Sequence, residues 1–224
     1  MRNIRIFTYL KIILFLLLVF VAVYYPTNEF DVITSNLLQI KILGQTAKII
    51  STIFNDKILL LIMVLLSAFL LWIKEPKKAI FIFFSASFGG LFLFVIKYTV
   101  QRVRPLPEVF SGYSFPSGHS TIIVVFFLSL LFIINKKEIL SMLATFAIIA
   151  VPISRVVLGA HFLSDVIAGL LLGSIVVDFM KVYYKKIYNI IKLYLSLLKV
   201  LTLVNILFNK SNRYKRIDNT YKHV

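Results

Sequence analysis

Three short motifs carry residue types that together can bind and transfer a phosphoryl group. The first reads K-x6-R-P and begins at Lys97, the second reads P-S-G-H and begins at Pro116, and the third reads S-R-x5-H-x3-D and begins at Ser154. Their candidate site residues are Lys97, Arg104, Ser117, Gly118, His119, Arg155, His161 and Asp165. Two imidazoles, a carboxylate and three permanent cations are the parts that a phosphoryl-transfer site needs.

The cations and one predicted helix start would bind the anion. Lys97, Arg104 and Arg155 suit a phosphate dianion, because each arginine can bind two of its oxygens at once. The P-S-G-H motif directly precedes an apolar run, so a helix is expected to begin there. Unpaired N–H groups and the positive end of the helix dipole favour an anion at such a start.

The two motif histidines differ in their local partners. His161 and Asp165 are four residues apart, so on a helix the carboxylate can fix the tautomer of the imidazole. His119 has no carboxylate in its own motif and would be available as an acid and then a base. The residues alone leave the opposite assignment of the histidines open. Asp165 and Glu108 are the only carboxylates in or near the motifs, which favours a reaction without a metal ion.

The three motifs resemble those of the type 2 phosphatidic acid phosphatase superfamily at every motif position. The resemblance implies that His161 is a nucleophile that forms a phosphohistidine, that Asp165 orients it, and that His119 protonates the leaving oxygen and later activates water. We expect no cofactor. The residues that would bind the phosphoryl oxygens are Lys97, Arg104, Ser117, Gly118 and Arg155.

The elements that must position these residues are apolar runs. The chain is 60% hydrophobic, and a helix needs ~20 residues to cross a bilayer. None of the runs alternates as barrel strands do, and the fourth reaches full length only if its helix begins near Ser117. We therefore predict an all-α, polytopic membrane protein, with a bundle of six transmembrane helices in residues 1–184. The six runs are Tyr9–Tyr24, Ile58–Ile73, Ala79–Ile96, Thr121–Ile134, Ile139–Val157 and Phe162–Val182.

The net charge of +16 is distributed beside these runs and does not indicate nucleic-acid binding. Lysines and arginines cluster at alternate ends of the runs, which the positive-inside rule assigns to the cytoplasm together with both termini. The three motifs then face the outside of the plasma membrane. The clusters are Arg2, Arg5 and Lys11; Lys74, Lys77 and Lys78; Lys136 and Lys137; and the basic tail.

Two segments lie outside the predicted bundle. Residues 26–56 mix apolar and polar residues, and part of them is expected to form a helix on the outer surface. Residues 185–224 are predicted to be an amphipathic C-terminal helix that lies on the anionic lipids of the inner leaflet, not a seventh span. Gly169 and Gly173, four residues apart, indicate close helix packing.

These features predict a metal-independent phosphatase that acts on a membrane lipid phosphate or diphosphate. An outward-facing site favours undecaprenyl diphosphate, while phosphatidylglycerophosphate, phosphatidic acid and transfer to an acceptor other than water remain alternatives. A protein that only binds anionic head groups is the alternative from a different class. The oligomeric state is not predicted.

Overall fold

A computed structural model describes residues 2–39, 41–134 and 138–221, and this part of the chain contains helices and no strand. Lys136 and Lys137, which contribute to the predicted orientation, lie outside the described residues. The eight helices are α1 (Arg2–Tyr24), α2 (Glu29–Leu38), α3 (Gly44–Ile53, after a 3-10 turn at Lys41–Leu43), α4 (Asp56–Trp72), α5 (Pro76–Val100), α6 (Gly118–Ile133), α7 (Glu138–Val157) and α8 (Leu163–Tyr221).

Local capping residues set the helix ends that surround the motifs. The side chain of Asn55 accepts hydrogen bonds from the N–H groups of Lys57 and Ile58 and so begins α4. Ser117 begins α6 in the same way, through the N–H of Ser120. The left-handed conformation of Gln101 ends α5 and turns the chain into the 101–117 loop.

Five stretches of helix are long and apolar enough to cross a membrane, which confirms the prediction of an all-helical membrane protein. The sixth run forms α6, whose 16 residues extend ~24 Å, less than the ~30 Å hydrocarbon core. The number of spans therefore stays a prediction. The five stretches are Ile6–Tyr24, Gly44–Trp72, Pro76–Val100, Glu138–Val157 and Leu163–Val200.

Helix α6 lies at the centre of the bundle and contacts α4, α5 and α7. Its residues Ile122 and Ile123 are fully buried and pack with Ala147 and Val151 of α7. The start of α8 also packs closely on the start of α6, as the spacing of its two glycines indicates. A Cβ at Gly169 would lie 2.7 Å from the carbonyl oxygen of Ser117. This packing fixes the first turn of α6, which carries the second motif.

Residues 26–56 are built into the bundle and do not lie only on its outer surface. Helices α2 and α3 both contact α7. They bury polar side chains, among them Asp31 and Ser51. This segment therefore contributes to the interior beside the motifs, which the prediction did not include.

The chain divides into two compact units, Met1–Tyr184 and Lys185–Val224. The first contains all three motifs. The second is the C-terminal part of α8 over its described residues, and apolar side chains such as Ile190, Leu193 and Leu197 are exposed on it. Its placement on the lipid surface stays a prediction.

Candidate active site

The three motifs meet where α5 ends, α6 begins and α7 turns into α8. Lys97 donates to the carbonyl oxygen of Pro116 over 3.2 Å, which joins the first motif to the second. The N–H of Ser117 donates to the carbonyl oxygen of Asp165 over 3.0 Å, which joins the second to the third. Arg104 Nη1 lies 3.2 Å from His161 Nε2, which joins the first to the third. All eight candidate site residues are thus brought into one region.

His161 is 2% exposed, in the turn between α7 and α8. Its Nδ1 faces the Asp165 carboxylate, with 3.6 Å between Nδ1 and Oδ2. Burial is the main cause that lowers the pKa of His161 to about 3; the nearby Arg104 and Lys97 contribute to this shift, and Asp165 opposes it. The imidazole is therefore neutral at physiological pH, as a nitrogen nucleophile must be.

His119 has a carboxylate neighbour that its motif does not reveal. Asp56, the first residue of α4, lies with Oδ1 3.7 Å from His119 Nδ1. The other oxygen of the same carboxylate packs against the backbone of the second motif, since a Cβ at Gly118 would be 2.6 Å from Asp56 Oδ2. The expectation that His119 lacks a carboxylate partner is therefore wrong.

The cationic side chains are oriented by fixed acceptors around the site. Arg104 Nη1 donates to the carbonyl oxygen of Ala160 over 2.8 Å, and partial burial lowers its pKa, although a guanidinium stays charged under all relevant conditions. Arg155 donates to the hydroxyl of Ser51 from α3. Within the described structure its buried Nε has no hydrogen-bond partner. A buried guanidinium with an unused donor fits an anion.

The start of α6 offers fewer donors than the sequence suggests. The N–H of Ser117 is occupied by Asp165, and its side chain caps the helix through Ser120. The N–H groups of Gly118 and His119, in the first turn, have no carbonyl four residues earlier in the helix to bind. These two groups are the ones that an anion can use.

Sequence reasoning missed two carboxylates and one arginine. Asp56 directly follows an asparagine cap at the predicted outer end of a span, and this was the only local signal for it. Asp31 and Arg102 are both completely buried and lie behind Asp165. Neither has a local signal, because Arg102 resembles a further surface cation of the first motif and Asp31 lies in a segment without a motif.

Metal ligands are sparse around these side chains. In residues 2–39, 41–134 and 138–221, no three histidine or acidic side chains lie close enough to share an ion. The expectation that the reaction needs no metal stays a prediction, which a chelator tests.

The fold and this arrangement define a class: a helical membrane protein whose helix ends gather two imidazoles, three cations and a buried carboxylate. The chain belongs to the PAP2 superfamily, whose sequence model matches residues 58–189. This confirms the resemblance that the three motifs indicate.

Two curated relatives carry functional names. The chain is 38% identical over 104 residues to phosphatidylglycerophosphatase B of Bacillus subtilis. The aligned region covers 42% of this chain and 51% of the relative. It is 34% identical over 107 residues to lipid A 1-phosphatase of Rhizobium johnstonii, over 42% of this chain and 43% of the relative. The aligned parts thus span about half the length of these relatives.

A solved structure matches over more of the chain. The crystal structure of a transmembrane PAP2-type phosphatidylglycerolphosphate phosphatase from Bacillus subtilis has a TM-score of 0.69 and 26% identity. The match covers 80% of this chain and 96% of that chain. The architecture is therefore shared well beyond the three motifs.

Proposed function

We propose that this protein is a lipid phosphate phosphatase that works through a phosphohistidine at His161. One observation carries the choice of nucleophile. Arg104 can only donate, so His161 Nε2, 3.2 Å from its Nη1, must be the acceptor and carry the lone pair. The proton of the neutral ring is then on Nδ1, which faces Asp165. The reactive nitrogen thus points toward the cations that would hold the phosphoryl group.

The first half-reaction transfers the phosphoryl group to the protein. Lys97, Arg104 and Arg155 bind the phosphoryl oxygens, helped by the free N–H groups of the first turn of α6. The phosphoryl oxygens take over the Arg104 Nη1 donor, which frees the lone pair of His161 Nε2. That lone pair attacks phosphorus, and the bond from phosphorus to the lipid oxygen breaks. His119 gives its proton to that oxygen, so the lipid leaves as a neutral alcohol.

The second half-reaction uses the same residues in reverse roles. His119, now neutral, takes a proton from water while the water oxygen attacks phosphorus. The N–P bond breaks, its electron pair returns to His161, and inorganic phosphate leaves. Asp165 stabilises the positive charge that the His161 ring carries between the two steps.

The substrate is proposed to be a phosphate monoester of a membrane lipid, with phosphatidylglycerophosphate first. His119 must lie next to the leaving oxygen, and Asp56 lies beside His119. A carboxylate on this side repels the second phosphate of a diphosphate more than an uncharged alcohol. The name of the Bacillus relative agrees with this choice. Undecaprenyl diphosphate, which the outward-facing topology favours, is the second candidate.

The proposed location is the plasma membrane, with the site on the extracytoplasmic face and both termini in the cytoplasm. The distribution of lysine and arginine supports this orientation. Lipid phosphates in the outer leaflet could then enter the site between helix ends.

Trapping of the intermediate tests the mechanism. His161→Ala removes the nucleophile, so no substrate can phosphorylate it. His119→Ala removes the proton donor, so an aryl phosphate, whose leaving group needs little protonation, should still phosphorylate His161 and the intermediate should persist. We expect protein-bound phosphate that is labile in acid and stable in base, as a phosphohistidine is, on the His119→Ala protein and not on the His161→Ala protein. The opposite pattern would show that the histidines have exchanged roles.

A phosphate-release panel with the purified protein tests the substrate. Phosphatidylglycerophosphate, phosphatidic acid and undecaprenyl diphosphate are compared in detergent, with and without EDTA. We expect faster release from the monoesters than from the diphosphate. Release from none of them would favour the non-enzymatic alternative, in which the site only binds anionic head groups.

A further inference from the structure

A second ionic network lies directly behind the proposed nucleophile. Arg102 is 2% exposed, and its Nη1 donates over 2.7 Å both to Asp165 Oδ1 and to the hydroxyl of Ser164. Its Nη2 donates to Asp31 Oδ2 over 2.7 Å, and its guanidinium lies 4.3 Å from the centre of the Phe162 ring. One arginine therefore joins two carboxylates from distant parts of the chain.

Asp31 of α2 also holds the first turn of α8 in place. Its Oδ1 accepts the N–H of Ser164 over 3.0 Å, and its Oδ2 accepts the Ser164 hydroxyl. The side chain of Asn28 adds a hydrogen bond to Oδ2 over 2.8 Å. Asp31 thus caps a helix other than its own and fixes the residue that directly precedes Asp165.

The two carboxylate oxygens of Asp165 have different partners. Oδ1 accepts from Arg102, while Oδ2 accepts the N–H of Phe162 over 2.9 Å and faces His161 Nδ1. The orientation of the carboxylate toward the imidazole is therefore fixed from behind by Arg102, and Arg102 is fixed by Asp31.

The charges of the network matter because every member is buried. Two carboxylates and one guanidinium leave one net negative charge behind His161. Without Asp31, Arg102 would neutralise Asp165, and the network would have no net charge. Charge interactions are strong in a buried, weakly screened environment, so this loss of negative charge would weaken the electrostatic stabilisation of a positive charge on the imidazole.

We propose that Asp31 is a positioning residue for phosphoryl transfer: through Arg102 it orients Asp165 and leaves that carboxylate free to stabilise the positive charge that forms on the His161 ring. This inference rests on the proposed phosphohistidine mechanism. It gives a role to the segment between the first two predicted spans, which carries no motif.

The test uses the His119→Ala protein, in which the intermediate accumulates from an aryl phosphate. Adding Asp31→Asn keeps the size of the side chain and removes its charge. We expect phosphorylation of His161 to slow by ~10–100-fold, by analogy with the loss of a hydrogen-bond partner that orients a metal ligand. Asp178→Asn is the matched control, because Asp178 pairs with Lys11 over 2.6 Å and its other described partners, Thr8 and Lys181, also lie outside the three motifs.

The outcomes separate the two proposals. No phosphohistidine in the His119→Ala parent would refute the mechanism itself, whatever Asp31 does. Phosphorylation in the parent with equal rates after Asp31→Asn and Asp178→Asn would overturn the role of Asp31. Equal slowing by both changes would also overturn it, because it would indicate a general loss of packing.

Two further variants keep the test decisive. Asp31→Glu retains the charge, so it should phosphorylate faster than Asp31→Asn at a similar thermal midpoint, and failure of this rescue contradicts the charge argument. If Asp31→Asn does not fold, Asp31→Ser is used instead, because the smaller side chain removes the charge that pairs directly with Arg102 over 2.7 Å and adds no bulk. A phosphorylation rate equal to that of the parent would then overturn the proposal.

Discussion

A methyl group at Gly169 should impair both stability and activity, because it would lie in the contact between α8 and α6. The added Cβ would be 2.7 Å from the carbonyl oxygen of Ser117 and 2.8 Å from Ser120 Cβ. Backbone cannot rotate away as a flexible side chain can, so α8 must shift. Overpacking of this kind costs ~1–3 kcal/mol, while alanine gains up to ~1 kcal/mol over glycine within a helix. The balance predicts a net loss of stability.

The same shift should separate the reacting groups. The start of α8 carries Asp165, whose carbonyl oxygen accepts the N–H of Ser117 over 3.0 Å. Moving α8 away from α6 stretches this contact and displaces the third motif from the second. A displacement of ~1 Å can cost ~100-fold in rate. We therefore expect kcat/KM for an aryl phosphate to fall by ~10–100-fold in Gly169→Ala.

Gly90→Ala is the control, because Gly90 is also in the middle of a helix but a Cβ there would meet nothing within 4 Å. It should keep full activity and an unchanged or higher thermal midpoint in detergent. Equal stability and equal kcat/KM for the two variants would refute the reasoning from helix contact.

Further predictions concern the metal, the topology, the pH and the tail. Activity should persist in excess EDTA and be inhibited by vanadate, which mimics pentacoordinate phosphorus; strict dependence on added magnesium would contradict the histidine mechanism. In this cysteine-free chain, a cysteine at Val109 should react with an impermeant label in intact cells and one at Lys77 should not; equal labelling would reverse the orientation. Because the pKa of His161 is about 3 in the folded state, the unfolded state binds more protons between pH ~6.5 and about 3. The free energy of unfolding should therefore decrease as the pH is lowered through this window. His161→Asn should reduce this slope, and an unchanged slope would assign it to other groups. Truncation after Tyr184 should leave phosphate release intact, and a folded but inactive product would give the tail a catalytic role.

The sequence was sufficient for the parts of the site that local spacing encodes. The start signal at Ser117 begins α6 as expected. The four-residue interval between His161 and Asp165 also brings the imidazole beside the carboxylate, although His161 lies in the turn before α8 and not on a helix as expected. The apolar runs likewise predicted the helices. The bounds of α6 are also close to the predicted ones, but its 16 residues are fewer than a full span needs.

The missing parts were contacts between residues distant in the chain. Asp31 meets Ser164 across 133 positions and Arg102 across 71, and no periodicity or motif connects them. Asp56 meets His119 only because α4 packs on α6. Such pairs follow from the complete fold, so a reading of local patterns cannot identify them.

The contact between Asp56 and Gly118 has a consequence for how related sequences can differ. The carboxylate lies where any side chain at position 118 would begin, so the two positions are not independent in evolution. A relative with alanine or serine at the position of Gly118 should carry a shorter residue than aspartate at the position of Asp56. Where the glycine is kept, a longer side chain at position 56 would have to point elsewhere. The glycine of the second motif would then be retained for the acidic neighbour of His119 as well as for the phosphate.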